Sequence, residues 1–119
     1  MSASTSAATR LLEHNCRAIE AGTNLLKALA NEKRLQILCL LAEKELSVTQ
    51  INQQLALSQS ALSQHLAILR RDELVDTRRE SQTIYYSLSS ESAKAVIDTL
   101  RRITLQDLIS APLPPSGVD

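Results

Sequence analysis

The stretch Ser47–Arg71, SVTQINQQLALSQSALSQHLAILRR, decides how the rest of the chain is read. Ser47-Val48-Thr49-Gln50 has the S-x-x-Q form of a capping box, in which a hydroxyl and an amide exchange hydrogen bonds with the backbone at a helix start. The helix it opens is short, about Val48 to Leu55, with Val48, Ile51 and Leu55 turned inward. Ala56-Leu57-Ser58 forms the turn, and Ser58 is a natural N-cap for a longer helix over about Gln59 to Arg71. Short helix, three-residue turn and longer helix make a helix-turn-helix pattern.

A helical wheel at about 100° per residue separates the two faces of the longer helix. Leu62, Leu66 and Leu69 share one narrow arc, and Ser60, Gln64, Ala67 and Arg71 lie opposite, with Ser63 and Gln59 towards one flank. No Asp or Glu falls between residues 46 and 71, although the chain balances 13 acidic residues against 13 Lys and Arg. An ordinary solvated helix face would mix Glu with Lys. Small, amide- and hydroxyl-bearing residues with arginine at one end suit a polyanion whose base edges they can reach. The candidate DNA-contacting residues here are Ser58, Gln59, Ser60, Ser63, Gln64 and Arg71.

Towards the N-terminus, Asn31 is a suitable N-cap, with Glu32 in the first turn of a helix carrying Leu35, Ile37, Leu38, Leu40 and Leu41. Being apolar on more than one face, this helix belongs at the buried centre, and the polar EKE at 43–45 closes it. From about Thr9 to Ala30, the positions Leu12, Cys16, Ile19, Leu26 and Leu29 recur at three- and four-residue steps, as in one long amphipathic helix. Gly22 falls near the same stripe, where it marks either a break or the close approach of another helix.

Towards the C-terminus, Val75 to Leu88 alternates, giving two short strands joined around Glu80-Ser81-Gln82. The tip lacks the Gly or Asn-Gly of a tight turn, so a longer loop is expected. Arg78, Arg79 and Gln82 flank it and could reach a phosphate or the minor groove; a solvated charge cluster with Asp76 and Glu80 is the alternative for the arginines. A last helix, about Glu91 to Ser110, carries Ala93, Val96, Ile97, Leu100, Ile103 and Leu108 on one stripe and ends before Pro112, Pro114 and Pro115. One small core does not need stripes on both the first and last helices. Pairing with a second copy is therefore expected, and two-fold symmetry suits a palindromic duplex site.

A chain of 119 residues with 44% hydrophobic content supports one core, so residues 9–110 are expected to form a single domain. Residues 1–8 are expected to be disordered and 111–119 to form a flexible Pro-containing tail. Two tyrosines and no Trp or Phe argue against single-stranded nucleic acid, whose binders stack bases on exposed rings. No apolar run approaches the roughly 18–20 residues of a membrane span, and MSASTSAATR lacks the order of a secretory signal. Cys16 and Cys39 sit in apolar helical patterns and not in a disulfide framework, which suggests a reducing, cytoplasmic setting. No nucleophile–base set, phosphate loop or metal cluster is visible, so neither an enzyme nor a cofactor is expected.

Helix, helix, helix-turn-helix, β-wing, terminal helix is the order of the winged-helix fold: mainly α, with a small β-hairpin wing. LLKALANEKRLQILCLLAEKELSV, LSQSALSQHLAILRRDELV and RRESQTIYYSL, spanning roughly Leu25 to Leu88, resemble the ArsR/SmtB family of dimeric bacterial transcription regulators. Within it, the chain is most similar to the branch of hemolysin-gene regulators and persulfide-responsive biofilm repressors. The resemblance implies a homodimer paired through its first and last helices, bound to double-stranded operator DNA and answering a chemical signal. It allows a repressor or an activator that displaces a silencing protein.

The family's metal positions are not matched. VTQINQQL holds no Cys, His or Asp where thiolate sensors carry ligands, and the last helix offers Glu91, Asp98 and Asp107 without histidine. His65, at the edge of the core arc, reads as a packed imidazole in preference to a ligand or DNA contact. Cys39 stands where the sulfur-responsive branch has a cysteine, but the place of that branch's second cysteine falls at about Leu105. Cys39 is then either a thiol that senses an oxidant or reactive sulfur species, with Cys16 as an alternative partner, or core filler. A winged-helix module for dimerisation or protein interaction, without specific DNA binding, is the other functional class.

Overall fold

The computed structural model describes residues 16–110. In chain order they form α1 (Cys16–Leu29), α2 (Glu32–Leu41), β1 (Leu46–Ser47), α3 (Val48–Leu55), α4 (Gln59–Arg71), β2 (Val75–Glu80), β3 (Thr83–Leu88) and α5 (Glu91–Ser110). The expected residues 9–15 of the first helix, the N-terminal residues 1–8 and the tail 111–119 lie outside the described residues.

α2 sits at the centre, as its many-sided apolar character requires. Ile37 and Leu38 are fully buried and Leu41 nearly so. Asn31 caps this helix, its side chain accepting from the Arg34 amide at 3.0 Å. Around α2, one cluster gathers Ala28 and Leu29 from α1, Ile51 from α3, the three leucines of α4, and Ala93 and Ile97 from α5. Truncating any one of the large members would cost roughly 2–5 kcal/mol, because the close-packed neighbours collapse only partly into the space.

The sheet holds one strand more than the sequence pattern shows. β1 pairs antiparallel with β3, Leu46 opposite Tyr86 and Ser47 opposite Tyr85, and β3 pairs with β2 from Val75–Leu88 to Glu80–Thr83, giving the order β1-β3-β2. Two residues are too few to show alternation, so only the tertiary pairing reveals β1. The wing tip is also tighter than expected. Glu80 faces Thr83, which leaves only Ser81-Gln82 as the turn, and Ser81 takes φ 59°. Positive φ in a turn usually falls to glycine. The twelve-residue hairpin register holds a serine there despite the steric cost of the left-handed region, about 1–2 kcal/mol.

α1 and α5 use only part of their apolar stripes for this core. Leu29, Ala93 and Ile97 are buried, whereas Leu26 is 59%, Ile103 51% and Leu105 60% exposed, with Ile19 and Leu100 also at the surface. α1 runs unbroken through Gly22, and a Cβ placed there would meet nothing within 4 Å among the described residues. Among the described residues Gly22 is neither a break nor a point of close approach. No helix among the described residues is long and apolar enough to cross a membrane.

Candidate nucleic-acid interface

The helix-turn-helix is built from local hydrogen bonds that its sequence announces. The Ser47 hydroxyl accepts from the Gln50 amide at 3.2 Å, and Gln50 Oε1 accepts from the Ser47 amide at 2.9 Å, completing the capping box. α3 ends at Ala56, in the left-handed region at φ 54°, and Asn52 Oδ1 closes the turn by accepting from the Leu57 amide at 3.0 Å. Ser58 then caps α4, its Oγ accepting from the Ala61 amide at 3.1 Å, which leaves the hydroxyl proton free to donate.

α4 is held to the body by Leu62, Leu66 and Leu69, each 2% exposed or less. Its opposite side carries Gln59, Ser60, Ser63, Gln64, Ala67 and Arg71 into solvent, as the wheel arranges them. Gln59, Ser60, Ser63 and Gln64 make no side-chain hydrogen bond among the described residues. Free donors and acceptors on a rigid helix are what base-edge recognition needs.

α3 adds two residues that the sequence reading passed over. Thr49 and Gln53 are exposed and share a shallow groove of about 340 Å³ with Val48, Asn52, Gln59 and Leu62. Their signal was present, as polar positions spaced by four on a short helix, but it is shared by any solvated helix face.

The four arginines near this surface divide into two kinds. Arg71 is bound by its neighbour: Nε lies 3.1 Å from Asp72 Oδ1 and Nη2 3.4 Å from Oδ2, and that hydrogen bond raises the guanidinium's already high pKa. Arg78 is held more completely. Its Nε donates to both Glu45 oxygens at 2.9 Å, Nη2 stands 2.8 Å from Oε1, and Nη1 donates to Glu80 at 3.3 Å. The same guanidinium lies over the Tyr85 ring, 4.7 Å from its centroid. Hydrogen bonds to Glu45 first and Glu80 second raise its pKa. Arg70 and Arg79 are exposed and form no ion pair among the described residues. Arg70 borders a groove of about 390 Å³ with Ser63, Ala67, Arg71 and Tyr86, between α4 and the wing. It was overlooked because its wheel position lies between the two faces. Arg79 and Gln82 stand exposed on and beside the wing tip, as expected.

The junction from α4 to the wing is a Schellman motif. The Leu74 amide donates to Leu69 O at 2.9 Å and the Glu73 amide to Arg70 O at 3.0 Å, with Glu73 at φ 60° where glycine is usual. Leu74 packs into the core beside Leu69, so the turn is locked on its inner side.

Away from this face, His65 is half-buried, with Nδ1 enclosed and unpartnered among the described residues. Burial, and then the positive charge of Arg34, lower its pKa from the usual imidazole value. Cys39 is a free, half-buried thiol packed against the core. It lines a groove of about 520 Å³ with Leu35, Glu43, Ile97, Leu100, Arg101 and Leu105. Leu105 and Cys39 thus line the same groove. Arg101 closes one side, donating to Cys39 O and to Glu43 Oε2, each at 3.2 Å. Cys16 opens α1, but its side chain, like that of Leu108, lies outside the described residues. Among the described residues no cluster of three His, Cys, Asp or Glu could hold a metal ion.

Residues 31–77, from the Asn31 cap through the helix-turn-helix into β2, match the family model for the bacterial regulatory proteins of the arsR family. The chain is 62% identical over 82 residues to the transcriptional activator HlyU of Vibrio cholerae, covering 69% of this chain and 76% of that one. It belongs to the arsR family. The solved structure of HlyU from Vibrio cholerae superposes with a TM-score of 0.71 at 58% identity, over 74% of this chain and 96% of that one. A biofilm growth-associated repressor of Agrobacterium fabrum is 43% identical over 79 residues, 66% of this chain and 68% of that one. The arsR-family chain is thus a winged-helix transcription regulator, and relatives on either side of it are named as activator and as repressor.

Proposed function

We propose that this regulator is a homodimer that reads a two-fold-symmetric site on double-stranded DNA. Each protomer sets α4 in a major groove, about 34–36 Å from its mate. Ser60, Ser63 and Gln64 face base edges, with Ser58 and Gln59 at the helix start. Arg79 and Gln82 reach the flanking backbone or minor groove from the wing, and Arg70 and Arg71 meet phosphates at the end of α4. The observation that carries this reading is the acid-free outer face of α4, exposed and, Arg71 apart, without side-chain hydrogen bonds among the described residues, on a helix seated by three buried leucines.

Salt-titrated binding to duplex DNA, first selected from random sequence, tests it. Selected DNA should bind at least about a thousand times more tightly than random duplex, with affinity falling steeply as salt rises through counterion release. Equal affinity for selected and random duplex would remove the reading in favour of a protein-interaction module.

The dimer is supported by Leu26, Leu100, Ile103 and Leu105, large apolar side chains on α1 and α5 that face solvent in the single chain. Ile103→Glu should convert a dimer to a monomer in sedimentation and abolish tight operator binding. A wild-type monomer at micromolar concentration would count against it.

A response to oxidants or persulfide is the finer part of the proposal, and it rests on Cys39. Its support is a thiol that is neither fully buried nor disulfide-bonded, on the wall of a groove. Intact mass and operator affinity after persulfide or peroxide treatment test it against Cys39→Ser. An unmodified Cys39 in the native protein would assign it to packing.

A further inference from the structure

We propose that Glu45 is the positioning residue of the wing, and that Arg78 is its tether and not a contact to DNA. The inference rests on the DNA-binding reading above for its consequence, but its geometry lies wholly within the free chain. Arg78 belongs to the outer strand β2 and stands opposite Tyr85 of the central strand β3, which in turn stands opposite Ser47 of β1. Glu45 precedes β1 by one residue. From β2, the Arg78 side chain lies over the face of Tyr85, 4.7 Å from the ring centroid, and ends on the carboxylate of Glu45, at the start of the third strand. One side chain thus straps all three strands together.

The chemistry of the strap accounts for each end. All three guanidinium nitrogens are engaged: Nε and Nη2 with Glu45 at 2.8–2.9 Å and Nη1 with Glu80 at 3.3 Å. Planar fork and carboxylate match in a way that lysine could not reproduce. The positive charge also sits between two carboxylates, so a phosphate approaching Arg78 meets no free cation. Arg79, the next residue, points to the other side of the sheet and has no ionic partner among the described residues. Val75 is buried at the root of the hairpin, and Tyr86 and Leu88 pack against the core from the inner part of β3, whereas residues 78–84 are exposed. Neighbouring arginines therefore divide the work: Arg78 sets where the wing stands, and Arg79 meets the DNA.

Two measurements on the full chain test this. The first needs no DNA: amide hydrogen exchange across residues 76–87 in the free protein. Glu45→Gln and Arg78→Gln should each speed exchange several-fold, the double variant no more than either single one, and Arg79→Gln should leave it at the wild-type rate. Wild-type exchange rates in Glu45→Gln would overturn the positioning role. The second is the slope of log affinity against log salt on duplex DNA. Each lost phosphate contact flattens it by about 0.9, so Arg79→Gln should flatten it by that amount, and Arg78→Gln should change it no more than Glu45→Gln, which breaks the tether but keeps the cation. A flattening by Arg78→Gln that Glu45→Gln does not share would overturn the division of roles. Failure of the wild type to prefer any duplex would overturn the DNA reading instead, with the exchange result still deciding the strap.

Discussion

α4 and the wing present themselves to the same side of the domain but are fastened to it by different physics. α4 stands on Leu62, Leu66 and Leu69, and its outward Gln59, Ser60, Ser63 and Gln64 make no side-chain hydrogen bond among the described residues. The hairpin buries Val75, packs Tyr86 and Leu88 half-buried against the core, and is strapped at its surface through Glu45, Arg78, Tyr85 and Glu80. Apolar burial is indifferent to moderate salt, whereas exposed charge pairs weaken as ionic strength rises. The reading helix should therefore keep its place under conditions that loosen the wing. A surface that must choose among base sequences needs rigid positioning. A surface that meets the backbone can tolerate adjustment.

The largest way to break the contrast is to remove what seats the helix. Leu62→Ala should cost about 2–5 kcal/mol in urea unfolding, by nearly the same amount at low and high salt. A cost under 1 kcal/mol would mean that α4 is held by something other than its core face. Gln64→Ala should leave stability alone and weaken discrimination between cognate and mismatched sites by about 1–3 kcal/mol, the worth of a good bidentate base contact. Competition binding over a set of single-base variants reads this out, and unchanged discrimination would take Gln64 off the reading face.

The junction between the two regions gives a smaller effect of opposite sign. Glu73 sits at φ 60°, and replacing it by glycine should raise stability by about 1 kcal/mol. For a domain of this size that is a rise in Tm of roughly 4–8 °C. A fall in Tm would show that the Glu73 side chain contributes more than its backbone strain costs.

The smallest effect concerns His65. Its folded pKa is lowered by burial and by Arg34, so the unfolded chain takes up a proton first as pH falls below about 6.5. Stability is then fully present above that value and declines through the window between it and the lower folded pKa. Tm compared at pH 7.5 and 5.5 should drop more in the wild type than in His65→Asn. Equal drops would assign the acid sensitivity to carboxylates alone.

Much of this was legible in order along the chain. The capping box at Ser47, the cap at Ser58 and the leucine arc of α4 are local patterns, enforced within one or two turns, and each stands in the structure as read. The expected outward residues of α4 are outward for the same reason. The two-residue strand β1 and the tight turn at Ser81 were not legible, because each depends on pairing with β3 and not on its own residues. The arginines mark the boundary most sharply. Arg70, Arg71, Arg78 and Arg79 look alike in sequence, and only the positions of Asp72, Glu45 and Glu80 separate bound from free.

By itself the sequence determined the helices, their buried faces, the helix-turn-helix and the absence of negative charge across it. Periodicity and capping act over three to seven residues and need no distant partner. Tertiary structure alone decided that Glu45 holds Arg78, since the pair spans 33 residues of chain. It also set Leu105 and Cys39 along one groove, and it left Leu26 of α1 and Leu100, Ile103 and Leu105 of α5 exposed. Charge and apolar surface act through space, and their partners are chosen by the fold.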